Sequence, residues 1–448
     1  MSAGRFARAS ALLVGCAAMV ALLKCTQTFD LPANPPSGND AGDDAPSSDC
    51  VLTADGTPCH GGICYAGTCC TGCWDGLECR SGESVASCGR QGGACTVCQD
   101  QKLRTCWQGS CVGKNSFRQV ALSSYYGCGR DVSDQLWCWG ENILGTAMPG
   151  SDAGLFPSAT TVPGHVVDSF DVAPATTGPH TCVVQGQKLR CWGSNADSKL
   201  GANTGSEVTQ PGSWALVAAS ANGTCGVKLD GDVSCWGGNS FGGLPPKDVP
   251  LPGKARALVA GNRHACAILE PDDALYCWGE NNASQLGADG TPTAPVGLGT
   301  GWLQVTCGGS HTCAVRSDER LFCWGGNSSG QLGVDEPSST VAKLEVEPGS
   351  AWTRVAAGGA HTCAVRVDGT LWCWGSNNYG QLGLGYEAPA SGLQKVGSAS
   401  DWKDVWADAS VSFAINSAGL VYSWGLNNSW QLARPGAGST PKPIQFAE

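Results

Sequence analysis

Charge is scarce in this chain. Asp, Glu, Lys and Arg make up only 15 % of 448 residues, the 27 Lys and Arg form no cluster, and the net charge is -11. Without a basic patch to neutralise phosphates, nucleic acid is excluded as a partner. Long apolar runs are missing too. The longest, Ala9 to Leu23 broken by Ser10, has fifteen residues, too few to span a bilayer but right for the apolar segment of a signal peptide. Histidine numbers six and methionine three. No Ser/His/Asp set, carboxylate pair or phosphate-binding glycine loop stands apart from the rest of the sequence, so neither a catalytic residue nor a cofactor is expected.

What is abundant is cysteine, glycine and tryptophan: 27, 64 and 17 residues. That cysteine content belongs to an oxidising compartment. Cys-Trp-Gly recurs at Cys138, Cys191, Cys235, Cys277, Cys323 and Cys373, and a seventh copy has Ser423 in the cysteine place. Successive copies are 53, 44, 42, 46, 50 and 50 residues apart, a period in the range of propeller blades. Each unit has a Trp-x-x-Val segment, a Gly-x-His-Thr-Cys segment, a Leu-x-Cys-Trp-Gly segment and an Asn-x-x-Gly-Gln-Leu-Gly loop.

Hairpin geometry places the two cysteines of each unit. Val367-Asp368-Gly369 is a three-residue turn with Gly where a left-handed residue is needed. Pairing Arg366 with Thr370 then sets Cys363 opposite Cys373. Where the spacing falls to nine residues, Cys182 to Cys191, the turn shrinks to Gly186-Gln187; where it grows to eleven, Cys266 to Cys277, the turn lengthens. Opposition is kept each time, at non-hydrogen-bonded sites close enough for a disulfide. The expected pairs are Cys128–Cys138, Cys182–Cys191, Cys225–Cys235, Cys266–Cys277, Cys313–Cys323 and Cys363–Cys373. In the seventh unit both positions change together, to Phe413 and Ser423. A zinc site would need further ligands that one hairpin lacks, so no metal is expected. Cys307 is left over, as a buried free thiol.

The N-terminal residues carry a different organisation. Residues 1–25 read as a signal peptide, with Cys25 and then Cys16 as candidate lipid acceptors; cleavage and free secretion is the alternative. Residues 26–49, rich in Pro, Gly, Ser and Asp, read as a tether. Residues 50–112 read as a disulfide-rich module, with twelve cysteines between Cys50 and Cys111 whose connectivity stays open. Cys70-x2-Cys73 and Cys95-x2-Cys98 imitate a zinc ribbon, but they leave the other cysteines unexplained. Residues 113–448 hold the repeats.

Seven linked copies of Gly-x-His-Thr-x-Ala-Val … Leu-x-x-Trp-Gly-x-Asn-x-x-Gly-Gln-Leu-Gly resemble the regulator of chromosome condensation repeat family. The resemblance covers about residues 117–448 and implies an all-β, seven-bladed β-propeller of four-stranded blades. The family includes a nucleotide exchange factor for a nuclear GTPase, a role at odds with an exported acidic chain. A plant ultraviolet photoreceptor of this fold uses Gly-Trp-Arg-His-Thr, but here the Trp column reads Ser124, Gly178, Ala221, Asn262, Gly309, Gly359 and Ala409. The paired cysteines are this chain's own addition. Ring closure is expected through Pro443–Phe446 pairing into the blade begun at Phe117. His180, His264, His311 and His361, in register, are expected to satisfy buried backbone groups.

One column varies among the fixed positions: Tyr125, Pro179, Asn222, Arg263, Ser310, Ala360 and Ser410. With Asn262 beside it and the loop aromatics Phe241, Tyr379 and Trp430, it marks a candidate binding face. The function expected is a non-enzymatic scaffold, exported and held at the outer membrane or cell surface or secreted, monomeric, recognising a protein or glycan. Its only membrane contact would be an N-terminal lipid. The alternatives are a secreted enzyme inhibitor, as in a bacterial β-lactamase inhibitor of this fold, and a secreted hydrolase.

Overall fold

The computed structural model describes residues 116–444 except 175–177, 239–242, 290–294, 335–338, 389 and 437, and the backbone of ten short strands between Pro58 and Gly113. The expected signal peptide with Cys16 and Cys25, the tether, and the disulfides of residues 50–111 lie outside the described residues.

From Phe117 onward the chain forms seven four-stranded antiparallel sheets, each built from four consecutive strands. Blade 6 serves as the pattern: inner strand Trp352–Ala357, second strand His361–Arg366, third strand Leu371–Gly375 and outer strand Ala390–Lys395. The expected all-β seven-bladed propeller is thus the fold. In the second strand every residue from His361 to Val365 is buried, because both sheet faces pack against neighbouring blades, so the strand is a continuous buried run and does not alternate.

Cys363 pairs with Cys373 in register, and the turn is closed by Arg366 N–H to Thr370 O at 2.9 Å. All six expected disulfides form, each with Cα atoms 4.1 Å apart. That spacing is the close, non-hydrogen-bonded type. The cysteines are 0–2 % exposed and belong to the apolar clusters between blades. Cys307 is buried and free.

Closure differs from the sequence expectation. Gly438–Pro443 does not join the blade begun at Phe117. It pairs with Val421–Gly425, Tyr422 opposite Pro443, as the outer strand of blade 7. Blade 1 takes its own outer strand from Leu155–Val166, and Phe446 lies outside the described residues. The reason is phase. The Pro- and Val-containing segment pairs with the Cys-Trp-Gly strand that precedes it, not with the Trp-x-x-Val strand that follows, so no strand is left to exchange.

Side chains seal the seam instead. The Trp139 ring of blade 1 stacks between Phe117 and Phe413, at centroid distances of 5.7 and 5.5 Å. Phe413 occupies the cysteine place of blade 7, which accounts for the lost disulfide there: the site is used to close the ring. Gly127 leaves room for Trp139, since a Cβ on it would lie 2.7 Å from the indole. Phe413→Ala is expected to cost about 3–5 kcal/mol of folding free energy, the usual range for a buried Phe, read from denaturant unfolding of the oxidised protein.

Candidate functional site

The antiparallel order puts two sets of connections at the same end of every blade: the turn between the first and second strands, and the loop after the third. In blade 1, Glu141 N–H bonds Tyr125 O at 2.9 Å, tying one set to the other. This end is the loop face. The opposite end carries the tight hairpins such as Val367-Asp368-Gly369.

On the loop face neighbouring blades are latched through one carbonyl. Gln285 O of blade 4 accepts from Trp324 Nε1–H at 3.0 Å and from the Thr312 hydroxyl at 2.8 Å, both of blade 5. Gln331 O serves Trp374 and Thr362 in the same way, and Gln381 O serves Trp424 and Ser412. The last Gly of the loop lies under that indole: at Gly333, with φ +72, a Cβ would stand 2.9 Å from Trp374 Nε1.

The repeat histidines belong to this latch, which corrects the expectation that they bond buried backbone groups. His264 Nε2 lies 2.8 Å from Thr312 Oγ1, His311 Nε2 2.9 Å from Thr362 Oγ1, His361 Nε2 2.8 Å from Ser412 Oγ and His180 Nε2 2.8 Å from Thr224 Oγ1. Each hydroxyl belongs to the next blade and already gives its single proton to a carbonyl. The histidine must therefore donate from Nε2, which fixes the neutral tautomer. Its Nδ1 is buried with no partner among the described residues, so protonation there would bury an unmatched charge.

This pairing could have been found by comparing successive repeats. Each His, two residues before the first cysteine, is matched by a hydroxyl one residue before the cysteine of the next repeat. Tyr126 takes the His place in blade 1 and meets Thr181 Oγ1 at 2.8 Å. Where blade 3 has Gly223, blade 4 has Ala265; where blade 7 has Val411, blade 1 has Gly127. Donor and acceptor are kept together or lost together.

The inner strands enclose an axial channel of about 500 Å³. Asp171, Asp404, Asp408, Gln304 and Cys307 line it, and sequence reading did not single out the three acids because no motif marks them. Burial pushes the Asp171 carboxyl up to about 7, against the pull of the Ala219 and Val172 N–H groups. Burial likewise pushes Asp408 up to about 8. Burial holds the Cys307 thiol far above the ordinary thiol range, so it is not a nucleophile at neutral pH.

The candidate binding residues that fall among the described ones all lie on the loop face. Tyr125, Asn222, Asn262 and Ser310 are half-buried, and Arg263 is exposed and paired with Glu280 at 3.2 Å. In the same column Pro179 is buried, unlike the rest. Tyr379 is 48 % exposed, and Trp430 is half-buried with φ 61. Phe241 lies outside the described residues. These residues spread around the ring and do not converge on one catalytic centre.

A ring of seven four-stranded sheets is the fold, and comparisons with known proteins match it. The sequence profile of the RCC1-like domain covers residues 135–448, and the chain belongs to that family. It is similar to the ultraviolet-B receptor UVR8 of Arabidopsis thaliana, 30 % identical over 34 % of this chain and 39 % of the relative. It is also similar to the mitochondrial RCC1 domain-containing protein RUG3 of the same plant, 26 % identical over 39 % of this chain and 44 % of the relative. The chain thus spans about two fifths of the length of these curated relatives. Among solved structures, Saccharomyces cerevisiae Prp20p matches with a TM-score of 0.60 and 20 % identity, over 74 % of this chain and 88 % of that one; it is described with its binding to Gsp1p and histones. Human WBSCR16 matches at 0.61 and 18 %, over 70 % and 94 %. At those identities the likeness speaks for the fold.

Two pH predictions follow from opposite signs. Burial holds His180, His264 and His361 down to about 3 and His311 to about 4, against about 6.5 in an unfolded chain. The unfolded state takes up these protons first, so the contribution is whole above about pH 6.5 and is lost as pH falls toward 3. Imidazole nitrogen NMR shifts should keep the neutral Nε2–H pattern for these four rings down to about pH 5; a ring that titrates near 6.5 overturns the latch. Asp171 runs the other way. Its raised value means stability is whole below about pH 3.8 and lost as pH rises through about 7. Asp171→Asn should therefore raise the thermal midpoint at pH 9, with the gain vanishing near pH 4.

Proposed function

We propose that this chain is a non-enzymatic protein-binding scaffold, exported and held at a cell surface by an N-terminal lipid, that recognises its partner with the loop face of the propeller. The observation that carries this reading is the contrast on that face. Glutamine carbonyls, tryptophans and hydroxyls lock the ring, while the variable column and loop tips are free to differ from blade to blade. Variable side chains on a rigid frame are the usual build of a recognition surface. Prp20p, of the same fold, is described as binding Gsp1p and histones, which supports a protein as the class of partner.

Export is supported by the apolar run ending at Leu23, by Cys16 and Cys25 as lipid acceptors, and by disulfides that an oxidising compartment would preserve. The acidic tether of residues 26–49 would hold the binding ring away from the membrane. Nucleotide exchange, a nuclear task, does not fit an exported chain, and a light-sensing role lacks its tryptophans at Ser124, Gly309 and Gly359.

The test has two arms. Metabolic labelling with a fatty acid should mark the protein, and Cys25→Ser should remove the label and release the chain to the medium; a label that survives in both Cys25→Ser and Cys16→Ser refutes the anchor. Cross-linking on the native cell surface should then capture a protein partner. Tyr125→Ala with Arg263→Ala should weaken that complex by about 2 kcal/mol, the scale of interface anchors, with the melting temperature unchanged. Unchanged affinity would move the site off this face.

A further inference from the structure

Charge is sorted between the two ends of the ring. The hairpin end carries ion pairs such as Arg118–Asp134, Lys254–Asp232 and Arg366–Glu347. Among the described residues of the loop face there are three cations, and each is already engaged. Arg263 is paired with Glu280. Lys199 is buried and bonds Gly178 O at 2.6 Å and Ala221 O at 3.1 Å. Arg434 is buried and bonds Ser423 O at 2.9 Å and Gly436 O at 3.2 Å. The exposed carboxylates on the same face are Asp152, Asp197, Asp289 and Glu387, of which Asp197 lies within the electrostatic reach of Lys199.

The apolar groups of this face are not spread evenly. Leu144 is 67 % exposed, Ile143 40 %, Tyr379 48 % and Tyr386 47 %. With Trp430 they fall on blades 6, 7 and 1, one arc across the ring seam. Ser429 beside Trp430 bonds Glu141 of blade 1 at 2.8 Å, which joins the two loops. Two of these residues hold unfavourable backbone. Trp430 has φ 61 where the corresponding loop positions are Gly330 and Gly380, and Leu144 has φ 58. A bulky residue in the left-handed region costs on the order of 1–3 kcal/mol, and nothing in the latch requires a side chain at either place.

We propose that the arc of blades 6, 7 and 1 docks a protein segment that carries both apolar side chains and Lys or Arg. This rests on the loop face being the binding face and adds the chemistry of what it takes. Apolar and aromatic tips supply the anchors. Of the exposed carboxylates, Asp152 of blade 1 and Glu387 of blade 6 lie on the arc itself, and the excess of carboxylates over cations on this face favours a basic partner and speeds its approach.

The test uses the oxidised full-length chain and a displayed library of random twelve-residue peptides as the probe. Enriched peptides should combine Lys or Arg with Leu, Phe or Trp, and their affinity should fall with added salt. Trp430→Gly and Leu144→Gly place glycine where the backbone suits it, so the thermal midpoint should hold or rise while affinity drops tenfold or more. Val367→Ser, at an exposed apolar site on the hairpin end, should leave binding unchanged. Acidic or neutral peptides that still lose affinity in the two glycine variants overturn the charge assignment and leave the binding face standing. Peptides that tolerate both glycine variants but lose affinity with Arg263→Ala, on blade 4, overturn the arc alone. Peptides sensitive only to Val367→Ser overturn the loop face itself, and with it the proposal.

Discussion

The structure depends on one kind of acceptor: the backbone carbonyl in the loop after the third strand, which after blades 1, 2, 4, 5 and 6 receives both an indole N–H and a hydroxyl from the next blade. A propeller blade is a short sheet that cannot bury both faces alone, so the ring exists only if neighbours hold together. Apolar packing supplies most of the attraction but no register. Two hydrogen bonds converging on Gln331 O from Trp374 and Thr362 set the angle and height of one blade against the next. Gln331 itself is fixed from below: its own side chain accepts Ser329 N–H at 2.9 Å, while Asn327 Oδ1 accepts Leu332 N–H at 2.9 Å. The loop is thus rigid before the neighbour arrives, and the bonds add little ordering cost.

The disulfides act within blades and the latch acts between them, and the seam shows what happens when the two compete for space. Blade 7 has Phe413 and Ser423 instead of cysteines. Phe413 turns its ring to Trp139 of blade 1, and Arg434 reaches in to bond Ser423. At the same seam the His and hydroxyl pair is absent, as Val411 and Gly127. This interface adds aromatic stacking where the disulfide and the His–hydroxyl pair are missing, and keeps the indole bond from Trp139 Nε1–H to Gln431 O at 2.9 Å, which suits a place where the first and last blades meet and no strand crosses.

Much of this was legible in the sequence because spacing encodes it. Turn length and cysteine separation vary together, so register, disulfides and blade number can be read without coordinates. The phase of the outer strand could not. A Pro- and Val-rich segment between two tryptophan-bearing strands fits either neighbour by pattern, and the choice depends on the loop after the third strand, which brings it back antiparallel. The histidine role was hidden for a related reason: its partner lies one repeat later, outside the window in which a motif is normally read. The channel acids were invisible, since Asp171 and Asp408 occur in single blades and only ring geometry places both on the axis.

The latch also explains why one face can vary. It uses a carbonyl, which every residue possesses, and the glutamine side chain braces its own loop, as Gln331 Oε1 does for Ser329 N–H. The two residues after Asn are therefore free to differ, and they read Ile143-Leu144, Asn282-Ala283, Ser328-Ser329, Asn378-Tyr379 and Asn428-Ser429 in different blades. The hairpin end has no such freedom. There Asp368 Oδ1 accepts Thr370 N–H at 2.9 Å, and Arg366 lies over the Trp372 ring at 4.1 Å. Side chains at that end hold the turns, and the loop tips are the part of the ring left free to vary.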